Sequence, residues 1–134
     1  MTHSNPISVR IAPDSSYQLS CVANGSLHQR VTISQNGKAI ATFNGSGDGA
    51  QMKQQDGSTT LSGTTRQSTQ LSLLFQNSKN GSSGPFQNSN IMVDSTAGIV
   101  TTIEAGDSSD GRGGSDTVLT LVVTSVAAAG VGQH

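Results

Sequence analysis

Apolar and polar side chains alternate every second residue along most of this chain. ISVRI (7–11), YQLSCVA (17–23) and RVTIS (30–34) each carry the pattern, and after QNGK it resumes in AIATF (39–43). A period of two belongs to a strand with one buried face, because successive side chains point to opposite sides of a sheet. Asn36-Gly37 stands between two such runs. Both residues of a two-residue hairpin turn take positive φ, which Asn and Gly adopt at least cost. The apolar positions between 31 and 43 are therefore expected to pair across one antiparallel hairpin.

Polar, glycine-rich NGSGDGA (44–50) is expected to interrupt the pattern. Further strands are expected at STTLSG (58–63), STQLSLLF (68–75), NIMVDS (90–95), GIVTTIE (98–104) and DTVLTLVVTSV (116–126), with an irregular loop over 76–89. No segment combines a helical period with caps. The pattern predicts an all-β protein, a single domain over 1–126 built as an antiparallel β-sandwich of about nine strands. The tail AAAGVGQH (127–134) has no partner pattern and is expected to be flexible or to lie at a subunit interface.

Composition narrows the function classes. Only 11% of residues are charged, the net charge is -1, and just over half of the chain is Ser, Thr, Asn, Gln or Gly. Nucleic acid needs a basic stripe over its phosphates, and seven scattered Lys and Arg do not make one. The short apolar runs and scarcity of Pro argue against disorder. Cys21, the single cysteine, sits in apolar LSCVA and reads as a small buried hydrophobe. The N-terminus lacks the layout of a signal peptide, and no apolar run reaches membrane-spanning length. A soluble protein is expected, cytoplasmic or released without a cleaved signal peptide. NGS at 24, 44 and 80 matches a glycosylation acceptor formally but reads as three glycine turns.

Catalytic signatures are missing: there is no G-x-S-x-G, H-E-x-x-H or Walker loop. His3 and His134 lie at the termini, and His28 is expected in a solvated turn. Soft-metal chemistry would need clustered His and Cys. The unusual stretch is EAGDSSDGRGGSD (104–116), which holds four of the eight acidic residues with Arg112 as its one cation. Glu104 and Asp116 could be drawn as a glycosidase pair, but Asp107 and Asp110 between them make a multi-carboxylate cluster instead, and an enzyme is not expected. Carboxylates and carbonyls in a flexible loop suit Ca²⁺, a hard cation that takes oxygen ligands. The same Asp, Gly and Ser residues are also ordinary turn chemistry, so cation site and solvated turn both stand.

A second segment, YQLSCVANGSLHQRVTISQNGKAIATFNG (17–45), closely resembles the N-terminal hairpin of the bacterial calcium-mediated fucose/mannose-binding lectins, the LecB-like family. The likeness runs without gaps and includes Ala23-Asn24, Gln29, Val31 and ATFNG (41–45). EAGDSSDGRGGSDTVLTLVV (104–123) lies where that family has an acidic loop leading into an apolar last strand. The resemblance implies a nine-stranded sandwich assembled as a homodimer or homotetramer, with Ca²⁺ ligated directly by sugar hydroxyls. Carried over by position, it implies metal ligands at Asn24, Glu104, Asp107, Asp110, Ser115 and Asp116. Sugar contacts are implied at Gly25, Ser26, Asp107 and Asp110. Asp48 lies outside both segments and is expected to take no part in calcium binding.

The sequence also departs from the family. Ser108 stands where the family has Asp, with Asp107 one step early; GRGG lengthens the loop; Ser115 replaces an Asn. The tail 127–134 extends past the point where the family's terminal carboxylate reaches calcium in a neighbouring subunit. Zero, one or two calcium ions are compatible with this loop. The expected function is a carbohydrate-binding lectin for fucose- or mannose-type monosaccharides. The alternative is a structural or self-assembling sandwich that has lost calcium and sugar binding. A metal-independent lectin is disfavoured because Tyr17 is the only Tyr and Trp is absent, leaving few aromatic platforms.

Overall fold

The structure, a computed structural model, describes residues 4–106 and 116–125, with the backbone alone at Ser26 and Ser82. The strands are β1 (Ile7–Ile11), β2 (Ser15–Gln35), β3 (Lys38–Gln51), β4 (Thr60–Thr65), β5 (Thr69–Ser78), β6 (Gln87–Asn88), β7 (Asn90–Ala97), β8 (Val100–Gly106) and β9 (Thr117–Ser125), and every strand pair is antiparallel. One 3-10 turn, Gly81–Ser83, is the only helical element among the described residues. No helix among them is long and apolar enough to cross a membrane. The tail 127–134 lies outside the described residues.

The expected hairpin is present. Asn36 and Gly37 have φ of 50° and 87°, and Val31 pairs with Phe43 across the ladder. The register slips once: Ile33 faces Ala41 while Ser34 faces Ala39, leaving Ile40 as a bulge. A bulge residue turns out of the ladder, which explains why Ile40 is exposed amid an apolar run.

Three expectations are corrected. The segments 17–23 and 30–34 are parts of one long strand, β2. NGSGDGA (44–50) does not interrupt pairing but continues it as the second half of β3. Gly47 and Gly49, with φ of 117° and 65°, let that half bend and stay paired with β2. The loop over 76–89 likewise contains β6 and the 3-10 turn.

β2 organises the whole molecule. Over residues 15–23 it pairs with β9, and over 28–35 it pairs with β5. Its other edge carries β4 and then β3. β1 extends the sheet beyond β5, and β8 and β7 extend it beyond β9. By hydrogen bonding this is a single nine-stranded sheet, curled at β2. By packing it is a sandwich, because both halves contribute to one apolar cluster. Ile33, Phe43, Leu71, Leu73 and Phe75 come from one half, and Leu19, Ile103, Leu119 and Leu121 from the other. Each such side chain contributes about 1.5–3 kcal/mol when fully buried. Cys21 is part of this cluster, and burial pushes its thiol well up from its ordinary pKa, so it stays protonated.

Tyr17 is buried in the same layer although its register partner, Gly63, has no side chain to pack against it. The ring lies where that side chain would be: a Cβ on residue 63 would stand 2.6 Å from the Tyr17 hydroxyl. Gly63→Ala is therefore expected to displace the ring and to destabilise the fold by about 1–3 kcal/mol, as overpacking does. Urea denaturation measures this, and a change below about 0.5 kcal/mol, the range of an ordinary surface substitution, would show that the ring moves aside freely.

Candidate functional site

The site expected from the sequence falls where β2 changes partners. Its ladder with β9 ends at Ala23↔Thr117, and its ladder with β5 begins at His28↔Ser78. Residues 24–27 lie between, with register shifts on the β3 edge as well, at Ala23/Asn24 and Gly25/Gln29. The backbone N–H of Asn24 donates to the Asp116 carbonyl at 2.7 Å, and the Asp116 N–H donates to the Ala105 carbonyl at 2.8 Å. Asp116 thus ties β2 to β8 just before β9 starts.

Ala23 and Ala105 are fully buried. Strand alternation therefore turns Asn24 and Glu104 to the outer face of the sheet, where both are half-buried. The Asn24 Oδ1 accepts a hydrogen bond from the Gly49 N–H at 2.9 Å. An amide oxygen has two lone pairs, so one remains for another partner. Gly25 lies under the Asp116 carboxylate, whose Oδ1 would be 3.0 Å from a Cβ at that position. A larger residue at 25 would have to push the carboxylate away.

Asn24, Gly25 and Asp116 are therefore brought together, with Glu104 on the adjoining strand opposite Val118. Ser26 continues the backbone of β2 through the irregular stretch. Asp107, Asp110 and Ser115 lie outside the described residues. The chain that carries them leaves from Gly106 and returns at Asp116, beside Asn24. Among the described residues no three His, Cys, Asp or Glu side chains gather at one point. The donors present are all oxygens, two carboxylates and an amide, which is the chemistry of a hard cation.

Four features here were not expected. Asp48 is the register partner of Asn24, so it stands at the corner and not apart from it. His28 belongs to β2 and not to a turn; its Nε2 lies 2.9 Å from Asn44 Oδ1 and its ring meets Phe86 edge-on at 5.9 Å. The Arg30 guanidinium lies 3.6 Å from the centroid of the same Phe86 ring. Gln29 is 1% exposed and takes a hydrogen bond from Thr117 Oγ1 at 2.8 Å, while its Nε2 donates to the Leu27 carbonyl at 3.3 Å. That buried amide fastens the irregular stretch of β2 to the residue after Asp116. The sequence carries a signal for it: Gln29 is in phase with the core positions Val31 and Ile33.

Residues 9–125 match the family model described as fucose-binding lectin II (PA-IIL). Among solved structures, a Ralstonia solanacearum high-affinity mannose-binding lectin is similar, with a TM-score of 0.57 and 16% identity over 85% of this chain and 92% of that one. A Chromobacterium violaceum lectin in complex with alpha-methyl-fucoside is similar with a TM-score of 0.61 and 15% identity, over 89% of this chain and 96% of that one. These likenesses concern the fold. No curated protein sequence matches the chain.

The Gln29–Thr117 pair makes a quantitative expectation. Thr117→Val removes the donor and leaves a buried acceptor unmet, at a cost of about 1–3 kcal/mol. Replacing both partners with apolar groups of similar shape is nearly neutral by comparison. Gln29→Met combined with Thr117→Val is thus expected to be less destabilised than the sum of the single variants. Denaturation of all four proteins in a double-mutant cycle measures the coupling, and strict additivity would show that the bond does not hold the corner.

Proposed function

The chain belongs to the fucose-binding lectin II (PA-IIL) family, a family of carbohydrate-binding lectins, and we propose that it recognises fucose- or mannose-type monosaccharides through Ca²⁺ held where β2 changes partners. Asn24 through its amide oxygen, and Glu104 and Asp116 through carboxylates, are the proposed ligands on described strands. Asp107, Asp110 and Ser115 are the proposed ligands from the connection between β8 and β9. Bound Ca²⁺ supplies exchangeable coordination positions that a pair of sugar hydroxyls can occupy in place of water.

The observation that supports this reading best is the joint placement of Asn24, Gly25 and Asp116. The Asn24 N–H to Asp116 carbonyl bond holds β2 against the end of the acidic segment. Gly25 leaves room for the Asp116 carboxylate over the backbone, and the sugar is proposed to rest on Gly25 and Ser26 with Asp107 and Asp110 accepting its hydroxyls. Binding without turnover is the proposed activity. Assembly as a homodimer or homotetramer, with the tail 127–134 at the subunit contact, is proposed as the source of avidity for multivalent glycans.

Calorimetric titration tests the metal step directly. Calcium is expected to bind and to raise the melting temperature, because a ligand selective for the folded state stabilises it. Asp110→Ala and Asp116→Ala are expected to lose that binding. Asp56→Ala is expected to keep it, since the Asp56 carboxylate is occupied within its own turn by the Ser58 N–H and Oγ. The absence of both a heat of binding and a thermal shift at millimolar Ca²⁺ would sink the proposal. Glycan binding that persists in chelator would point to a metal-independent lectin.

A further inference from the structure

We propose that the groove between the end of β5 and residues 85–87 is a second saccharide subsite, one that takes the sugar joined to the terminal residue of a glycan. The inference rests on the calcium-lectin reading, which seats the terminal sugar at Gly25 and Ser26.

Position comes first. β5 ends at Ser78, whose register partner is His28, two residues along β2 from Ser26. The 3-10 turn Gly81–Ser83 that follows packs against both β2 and β5. The chain from 79 to 87 therefore lies beside the corner and not across the molecule from it. Between its two arms is a cavity of about 280 Å³. Lys79 and Asn80 line one side with Asn77 at the base, and Pro85, Phe86 and Gln87 line the other. That is near the lower end of small-molecule sites, roughly 300–1,000 Å³, a size for one ring and not for an extended chain.

The lining has the two-sided chemistry of a pyranose. Phe86 and Pro85 offer apolar surface to the C–H face of a sugar ring. Lys79, Asn80 and Gln87 offer donors and acceptors for its hydroxyls. Among the described residues no acidic side chain lines the groove, and Lys79 is the one charged residue that does.

The walls are held from behind. Arg30 lies across the Phe86 ring, and its Nε and Nη2 both donate to Gln76 Oε1, at 3.2 and 2.7 Å. His28 meets the ring edge-on. Gln87 Nε2 donates to Asn77 Oδ1 at 3.0 Å, and Asn77 Nδ2 donates to Ser89 Oγ at 2.8 Å, so the groove is braced to its fully buried base. A site whose side chains are already fixed loses less freedom on binding. Residue Phe86 thus links the two places: it lines the groove and packs on the outer face of β2 beside the sugar position.

Calorimetry in saturating Ca²⁺ would compare methyl α-fucoside and methyl α-mannoside with a panel of fucosyl and mannosyl di- and trisaccharides. At least one oligosaccharide is expected to bind about tenfold tighter than its methyl glycoside, which corresponds to about 1.4 kcal/mol. Asn80→Trp fills the groove from its exposed rim, and Phe86→Ala removes its apolar wall. Both variants are expected to erase the oligosaccharide gain, and Asn80→Trp to leave methyl glycoside affinity within about twofold of wild type. Folding of each variant is checked by its thermal transition. The subsite is overturned if no oligosaccharide gains affinity, or if the gain survives in Asn80→Trp. Methyl glycosides that fail to bind wild type in Ca²⁺ would overturn the calcium-lectin reading and the subsite with it, a result distinct from a lost gain.

Discussion

A strand that belongs to two packed layers has to change neighbours part-way along, and in this protein that requirement falls on β2. Buried backbone N–H and C=O groups must find partners. β9 can follow β2 only as far as Ala23, and β5 takes over only from His28. Between these points the ladder on that edge is broken, and other groups meet the needs of the backbone. The Asn24 N–H takes the Asp116 carbonyl, and the Leu27 carbonyl takes the Gln29 side chain. The candidate site is the set of residues that repairs this break. Its position is therefore a consequence of how the sheet curls, and its ligand-like oxygens are presented by a backbone that is fixed on either side.

Much of this was legible in the sequence because the signals were local. Period two located β1 and the cores of β5, β8 and β9, and Asn36-Gly37 marked the hairpin turn. What local pattern could not convey was continuity. Asn24, Gly25 and Ser26 look like a turn because their composition is that of a turn, yet they lie inside a 21-residue strand. Asn24 and Gly25 pair with Asp48 and Gly47 of β3, and Asn24 is also bonded to Asp116. The same holds for 44–50, where glycines serve a bend within β3 and not an exit from it. For the site, the resemblance pointed to Asn24, Gly25 and Asp116 as neighbours, and register brought them together. Asp48 was missed because cross-strand partnership with Asn24 depends on bulges that no sequence pattern announces. Phe86 was missed because its partners, His28 and Arg30, belong to a distant segment.

The chemistry of the surface agrees with this economy of charge. With so few charged residues, the protein braces itself mainly through amides, hydroxyls and backbone groups. Gln29 with Thr117, Asn77 with Ser89 and Gln87 with Asn77 are all neutral pairs. Such bonds are little affected by salt, unlike exposed ion pairs. Two carboxylate residues stand at the corner, Asp48 as the register partner of Asn24 and Asp116 over Gly25. The cationic Arg30 is spent on stacking and on Gln76 instead of on a carboxylate.

The length of β2 has a consequence for how the molecule comes apart. Because one continuous strand supplies hydrogen bonds to β3, β4, β5 and β9, both layers depend on the same backbone. Partial opening is expected first at the strands paired along a single edge, β1, β3, β4, β6 and β7. Amide protons within the two paired stretches of β2, 15–23 and 28–35, are therefore expected to be the slowest to exchange with solvent and to report the stability of the sandwich. Most of these pairings join residues far apart in the sequence, which is the topology of a slow folder. The corner of the candidate site, which needs β9 on one side and β5 on the other, thus completes only when both layers have met.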